Sequence, residues 1–509
     1  MRRVSHTYAP YTPVRHVGIG IRFDVVDQGA KSGCTSTAYG VGAIDRLSQT
    51  VDDVEQVPAK YATLERNYWT LDGTAEILPD DLTDVQTGWW DAALSDENGQ
   101  FATPPWVRYD FAGPVSTIGW GLYFDSKGGQ YPTSVRVTAY GADGAAVVQK
   151  TFAATSPVLQ MAYQLADYHA VRFDFLTTSE PYRRIRLVEA NFGLSELLDA
   201  NTIGKASFTY GVSLTSDALP SRQLDFTFDN SDKKYNLLDP AGIYEYLQEG
   251  QRIRTSLVIN GESVDMGSFY FTSASADANV LVPRVQANDV IWELDNEVFR
   301  GGGNTEMALS AAVALVLERA DVQVRYAAGV ADRPVVLAIG RKTSRREALR
   351  MLAQAARCTL WVDRDEVVHF ADLTLDAEPV DEITANELYD FTGVSVSEKT
   401  DRVDLVVQNP FLETDDEVVY TAGAGKRVAT LENPCVAPSA GAAVAAWILG
   451  HLRRRKLYSV KWRGNPAVEI GDTVRIHDIF GNTGCAVVTD IKLDFGKGIS
   501  GTIGGVGIG

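Results

Sequence analysis

An alternation of apolar and polar residues stops near residue 60 and resumes near residue 205, and this interruption constrains the fold more than any other feature of the sequence. Before it, Val17, Ile19, Ile21, Phe23 and Val25 fall on one face of a strand, with His16, Gly18, Gly20, Arg22 and Asp24 on the other. After it, Ala206, Phe208, Tyr210, Val212 and Leu214 share one face, and Leu224, Phe226 and Phe228 alternate with Gln223, Asp225 and Thr227. Such period-two text belongs to antiparallel sheet with one buried face. The intervening text is rich in Trp and in turn residues. It includes Gly88-Trp89-Trp90, Pro105-Trp106, the alternating runs 135–140 and 171–175, a GADG turn at 141–144 and a closing strand over 185–193. Short strands punctuated by Gly, Pro and Asp predict a β-sandwich. A folded lobe whose ends lie together can be spliced into a loop cheaply, because closure entropy grows only as the logarithm of length.

Around the splice, residues 29–42 read as loop from their Gly, Ser and Thr content, and 44–57 as a polar connection. Beyond 205, strands are expected at 252–259 and 267–273, joined by an Asn260-Gly261 turn, and at 290–294, leading into the hinge Gly301-Gly302-Gly303. A helix over 306–320 and a second over 344–357, the latter opened by the capping-box pair Ser344 and Glu347, alternate with strands at 335–339, 359–362 and 366–371. The remainder carries strands at 394–397, 402–408 and 458–462 and a helix over 440–455. It closes on RGNPAVEIGDTVRI and a strand with Val487, Thr489, Ile491, Leu493 and Phe495 on one face. The expected class is mainly β with a smaller α/β part. Segments 1–65, 196–300 and 376–509 form barrel-like β-domains, 66–195 the inserted sandwich, and 301–375 the small α/β domain.

A chain of 509 residues is too long for one core and implies roughly three or four domains. Its 66 acidic against 47 basic residues give a net charge of −19, which repels nucleic acid and anionic membrane. The run Arg453-Arg454-Arg455-Lys456 reads as the solvated end of a helix, where cations suit the dipole. Cys34, Cys358, Cys435 and Cys485 are far apart and are expected to be reduced. No run approaches the roughly eighteen apolar residues of a membrane span, and the first ten residues lack a secretory h-region. The expectation is therefore synthesis in the cytoplasm without membrane insertion.

Catalytic chemistry needs convergent titratable groups. The six histidines, His6, His16, His169, His369, His451 and His477, are scattered, and none stands at metal-ligand spacing to another. No nucleophile elbow, HExxH or phosphate-binding loop occurs. The acidic groups Asp52-Asp53, Asp80-Asp81 and Asp415-Asp416-Glu417 lack the alternating ligands of a calcium loop. Trp69, Trp90 and Trp106 are read as core packing. Loop aromatics suit a sugar better, since a pyranose face stacks on an exposed ring. Trp89 and Tyr131 are the candidates for that role, and no catalytic or metal-ligating residue is assigned.

The stretch 61–73, YATLERNYWTLDG, resembles a segment of phage tail proteins found at the hub of the tail tip or baseplate, immediately ahead of an inserted discoidin-like sandwich. The order DG, W, WxxxDF (Trp106, Asp110, Phe111) and a final RLxEA (Arg186 to Ala190) resembles that galactose-binding sandwich. The closing GNPxxxxGDxVxI (Gly464 to Ile476) extends the likeness to the end of the chain. The resemblance implies a non-enzymatic homotrimer in the virion tail, made in the bacterial host, that closes the distal tube. Its implied partners are tube-side, tape-measure and spike or fibre proteins. It also implies room for a structural calcium ion and a glycan in the lobe. The glycine-rich end after Gly496 carries no sign of the hydrolase that some relatives append.

Overall fold

The computed structural model describes all residues except 3, 6, 7, 27–29, 32, 41, 46, 52–87, 126–130, 232–246, 276–281, 319, 321, 341, 374–377, 391, 409–416, 497, 508 and 509. The stretch 61–73, Trp69 and the three acidic groups (Glu417 apart) lie outside the described residues. Strand β1 (Val17–Val26) forms as its alternation predicts, burying Ile19, Ile21, Phe23 and Val25. By contact density the chain divides into two units. One is Met1–Arg22 with Leu197–Lys234 and Arg252–Gly509, the platform; the other is Phe23–Glu196 with a short stretch ending at Gln251, the sandwich.

The sandwich unit holds β2 (Cys34–Ala38), β3 (Ile44–Asp45), β4 (Trp89–Trp90), β5 (Trp106–Phe124), β6 (Pro132–Tyr140), β7 (Ala146–Ala153), β8 (Val158–Thr178) and β9 (Arg186–Asn191). Their order is β3-β4-β9-β5-β8-β6-β7, with β2 on β5. The long strands β5 and β8 pair antiparallel through repeated register shifts between Asp110 and Gly119, the bulges that let a long ribbon bend. Val107, Tyr109, Trp120, Val137 and Phe173 are completely buried in its core, and the Tyr109 hydroxyl reaches Thr50 Oγ1 at 2.8 Å. Strand β2 corrects the loop reading of 29–42: β-branched Thr35 and Thr37 pair with Asp110 and Arg108. Its Ser/Thr composition conceals a strand.

The platform continues from β10 (Gly193–Asp199) into β11 (Ile203–Gly211), β12 (Gln223–Phe228), β13 (Arg252–Ile259), β14 (Glu262–Ser275) and β15 (Arg284–Asn288). Asn260 (φ 52°) and Gly261 (φ 88°) both take the left-handed conformation that a two-residue hairpin between β13 and β14 demands. Helix α1 (Val290–Asn296) then replaces the expected strand over 290–294. Asp289 explains it: its carboxylate accepts from Ile291 N at 3.2 Å and is itself fixed by Arg222 at 3.1 Å, so the run begins under a ready N-cap.

Next come β16 (Glu306–Ala308), α2 (Leu309–Val316), β17 (Val324–Tyr326), β18 (Pro334–Val336), α3 (Arg345–Ala355), β19 (Thr359–Val362) and β20 (Val368–Ala371). The first expected helix starts three residues late because Glu306–Ala308 pairs with β18. The second is capped by Ser344 Oγ, which accepts from Glu347 N at 3.2 Å. The Glu347 carboxylate holds Arg350, so only half of the capping box forms.

The chain ends with β21 (Asp381–Ile383), β22 (Gly393–Val396), β23 (Arg402–Val407), β24 (Val418–Gly423), β25 (Val428–Glu432), α4 (Gly441–Leu452), β26 (Lys456–Trp462), β27 (Thr473–His477), β28 (Thr483–Phe495) and β29 (Ile499–Gly507). Thirteen strands share one sheet in the order β10-β1-β13-β14-β15-β12-β11-β28-β29-β26-β22, with β27 on β28 and β21 on β27. The fold is therefore mainly β with a smaller α/β part. Among the described residues the barrel-like segments are parts of one sheet whose strand order does not return on itself.

Candidate functional site

The segment 462–472 is the point where distant parts of the platform meet. Asn465, almost fully buried, donates through Nδ2 to Asp381 Oδ2 (3.1 Å) and accepts at Oδ1 from the Tyr8 hydroxyl (2.7 Å) and Ala467 N (3.0 Å). Asp381 also accepts from the Tyr11 hydroxyl at 2.7 Å, and Trp462 Nε1 donates to that hydroxyl oxygen at 3.0 Å. Burial pushes the Asp381 carboxyl above the ordinary carboxylate range and the Tyr8 and Tyr11 phenols well above theirs. The Arg15 guanidinium donates to the carbonyls of Arg463, Gly464 (2.7 Å) and Ile499 (2.6 Å). Gly464 sits at φ 75°, which an L side chain rarely tolerates.

Arg364 completes the tie from the α/β side. It is 4% exposed and donates to the carbonyls of Pro466 (2.6 Å), Val468 (3.0 Å) and Asp265 (3.2 Å). Arg2 bridges Asp265 and Asp365 at 2.6 and 2.7 Å. Every polar group in this network faces another, and none is an activated nucleophile. The arrangement is a clamp that joins the first fifteen residues, the last strands and the α/β part.

In the sandwich, two tryptophan assignments are reversed, Trp89 by burial and Trp106 by strand parity. Trp89 is 0% exposed: it lies in β4, paired with Leu187, and its ring presents no face to a sugar. The expected loop is a buried strand. Tyr131 is half-buried against the sandwich core, its N–H donating to Ser179 Oγ at 3.1 Å, beside 126–130 outside the described residues. Trp90 is buried as expected, with the Arg186 guanidinium 4.0 Å over its ring. Trp106 is not a core residue. Val107 and Tyr109 turn inward, so Trp106 turns outward, where Arg172 lies 4.4 Å over its ring and Tyr39, 38% exposed, stands 6.3 Å away. Beside it Asp174 holds Arg172 and Arg136, and Arg108 pairs with Asp110. This aromatic and guanidinium surface was legible in the alternation of WVRYDF.

Two of the histidines take carboxylate partners. His369 Nε2 lies 2.7 Å from Asp363 and its ring stacks on Trp361, while His477 lies 2.6 Å from Glu382. Burial pushes the Cys358 and Cys435 thiols up to about 12, and all four cysteines are unpaired. Among the described residues no three His, Cys, Asp or Glu side chains converge as a metal site, and no helix is long and apolar enough to cross a membrane.

No protein-family model matches the chain, and no curated protein matches it. Among solved structures, it is similar to a 43 kDa tail protein of prophage MuSo2 from Shewanella oneidensis, at 15% identity and a TM-score of 0.44, covering 61% of this chain and 95% of that one. It is similar to a tail protein from Neisseria meningitidis MC58, at 11% identity and a TM-score of 0.45, covering 61% and 93%. A family 32 carbohydrate-binding module from C. perfringens NanJ, solved with galactose, matches 34% of this chain and 99% of its own, at 13% identity and a TM-score of 0.21.

Proposed function

We propose that this chain is a non-enzymatic structural component of a phage or phage-like tail. In this reading three copies at the hub of the tip or baseplate close the distal tube and connect it to spike or fibre proteins. The reading draws on the likeness of 61–73 and of Gly464 to Ile476 to tail hub proteins. The observation that carries it is the main sheet: β1, β11 to β15 and β26 to β29 are neighbours in one strand order although the sandwich separates them in sequence. The Asn465, Arg15 and Arg364 contacts lock that arrangement. The test is a reconstruction of the parent particle carrying a tagged copy of the chain. Tag density at the tail tip with threefold symmetry is expected; density elsewhere, or another symmetry, refutes the proposal.

A second reading, compatible with the first, has the sandwich bind host cell-wall glycan. The half-buried Trp106, with Arg172 over its ring and the 38% exposed Tyr39 beside it, supports this reading, since a sugar ring stacks on an aromatic side chain that has hydrogen-bonding neighbours. Tyr131 remains a candidate at that function. A glycan array with the full chain should give binding that Trp106→Ala abolishes, and equal signals from both proteins would refute this surface.

A further inference from the structure

We propose that the outer face formed by β2, β5, β8, β6 and β7 of the sandwich binds an anionic saccharide, whose carboxylate or phosphate is held between Arg108 and Arg172. This rests on the glycan reading above and names the class of sugar.

The register sets two like charges against each other. Arg108 on β5 stands directly opposite Arg172 on β8. Like charges in that relation oppose the pairing of their strands. The same row continues to Thr37 on β2 at one side and through Thr138 to Gln149 on β7 at the other, so no acid lies in it. The acids stand one row away on either side. Asp110 holds Arg108, while Asp174 is shared by Arg172 and Arg136, so three guanidiniums meet two carboxylates. The Asp174 side chain is 3% exposed, whereas those of Arg108, Arg172 and Arg136 keep 30%, 31% and 37% of their surface. Asp110 apart, what this patch presents to solvent is cationic, on a chain whose net charge is −19. A sheet that keeps a repulsive pair at its centre breaks a local rule, and such breaks belong to functional sites.

The aromatic rings decide which part of a sugar fits. The Arg172 guanidinium lies 4.4 Å over Trp106, and the Arg108 guanidinium lies 4.5 Å over Tyr140, across the small Ala170 that stands between Asp110 and Tyr140. A guanidinium on an aromatic face is held in place by the ring and covers the surface on which a neutral pyranose would stack. Its remaining donors then select the ligand. Arg172 spends Nε and Nη2 on Asp174, and Arg108 spends Nε and Nη2 on Asp110. Among the described residues neither Nη1 has a partner. Directly opposite residues stand about 4.5–5.5 Å apart at Cβ, a spacing that lets both Nη1 groups reach one carboxylate or phosphate. Such an anion also cancels the repulsion that the register builds in. Tyr39, 38% exposed beside Trp106, is left to pack against the sugar ring.

The test is biolayer interferometry with the full chain on immobilised polygalacturonate, a glycerol-phosphate teichoic acid, neutral galactan and polyglutamate. Binding to one or both acidic glycans is expected, and not to galactan or polyglutamate; which acidic glycan binds tells carboxylate from phosphate. Arg108→Gln with Arg172→Gln should weaken that binding about a hundredfold or more, since two charge-assisted hydrogen bonds are lost. Asp110→Asn frees Arg108 and should tighten it several-fold, a gain that damage to the fold does not produce. The proposal is overturned by galactan or polyglutamate binding as well as the acidic glycans do, by an arginine variant that binds like the wild type, or by an Asp110→Asn that fails to tighten binding. Binding to galactan alone would remove this ligand class and leave the glycan reading standing. Silence on all three glycans and on the array above would remove both.

Discussion

Replacing Arg364 with Met tests whether the platform is locked where its distant parts meet. Methionine keeps most of the aliphatic stem and removes the donors to Pro466, Val468 and Asp265. A hydrogen bond to a charged donor contributes about 1.5–3 kcal/mol net, and a buried carbonyl left without a donor costs a comparable amount. Removing a buried guanidinium also returns part of its desolvation cost, which offsets some of the three losses. Ala467 and Val468 are fully buried, so water does not readily replace the lost donors. The net loss should be about 3 kcal/mol, equivalent to roughly a hundredfold in an opening equilibrium. Hydrogen exchange read by mass spectrometry suits a multidomain chain, because it follows each segment separately. Amides of 463–472 should exchange about a hundredfold faster than in the wild type, while those of β5 in the sandwich stay unchanged. Exchange in 463–472 within about threefold of the wild type would refute the reasoning.

Three further perturbations follow from the same physics. Burial pushes the Asp91 carboxyl from 3.8 up to about 6, so the folded state holds its proton more tightly than the unfolded chain; stability is highest below pH 3.8 and falls as pH rises to about 6. Asp91→Asn should therefore gain roughly 2–3 kcal/mol at pH 7 and nothing at pH 3, in urea titrations at both values; an equal effect at both would sink this account. Gly193→Ala would place a Cβ 2.1 Å from Val25 O, and a loss of about 2 kcal/mol or more is expected in the same assay, with an unchanged midpoint as the contrary result. Tyr11→Phe removes a donor from Asp381 and should cost about 1–2 kcal/mol at pH 7, less in acid where Asp381 is protonated and needs that donor less; a pH-independent cost would count against it.

Period-two alternation made β1, β11, β12 and β28 readable, because a strand with one buried face writes that face directly into its sequence. The same rule, applied one residue further, would have sent Trp106 outward. Tryptophan's usual burial prevailed over its position beside Val107. Trp89 was misread for the opposite reason, since a two-residue strand between glycine and polar residues has no periodicity to detect. Helix α1 shows that a short apolar run is ambiguous until its cap is recognised, and the role of Asp289 depends on Arg222, 67 residues away. The clamp was not legible at all. Its partners, such as Arg15 and Ile499, stand 484 residues apart, and no local pattern announces which carbonyl a buried arginine will find.

One consequence lies in the neighbouring strands at the edge of the lobe. Gly193 stands against the backbone of Val25 so closely that no side chain fits between them, so the inserted chain departs and returns within one strand spacing, about 4.8 Å. Any other folded body whose termini emerge that close together would fit the same doorway. A lineage could thus exchange the folded body held between β1 and β10 while the pairing of β1 with β13 is passed on intact.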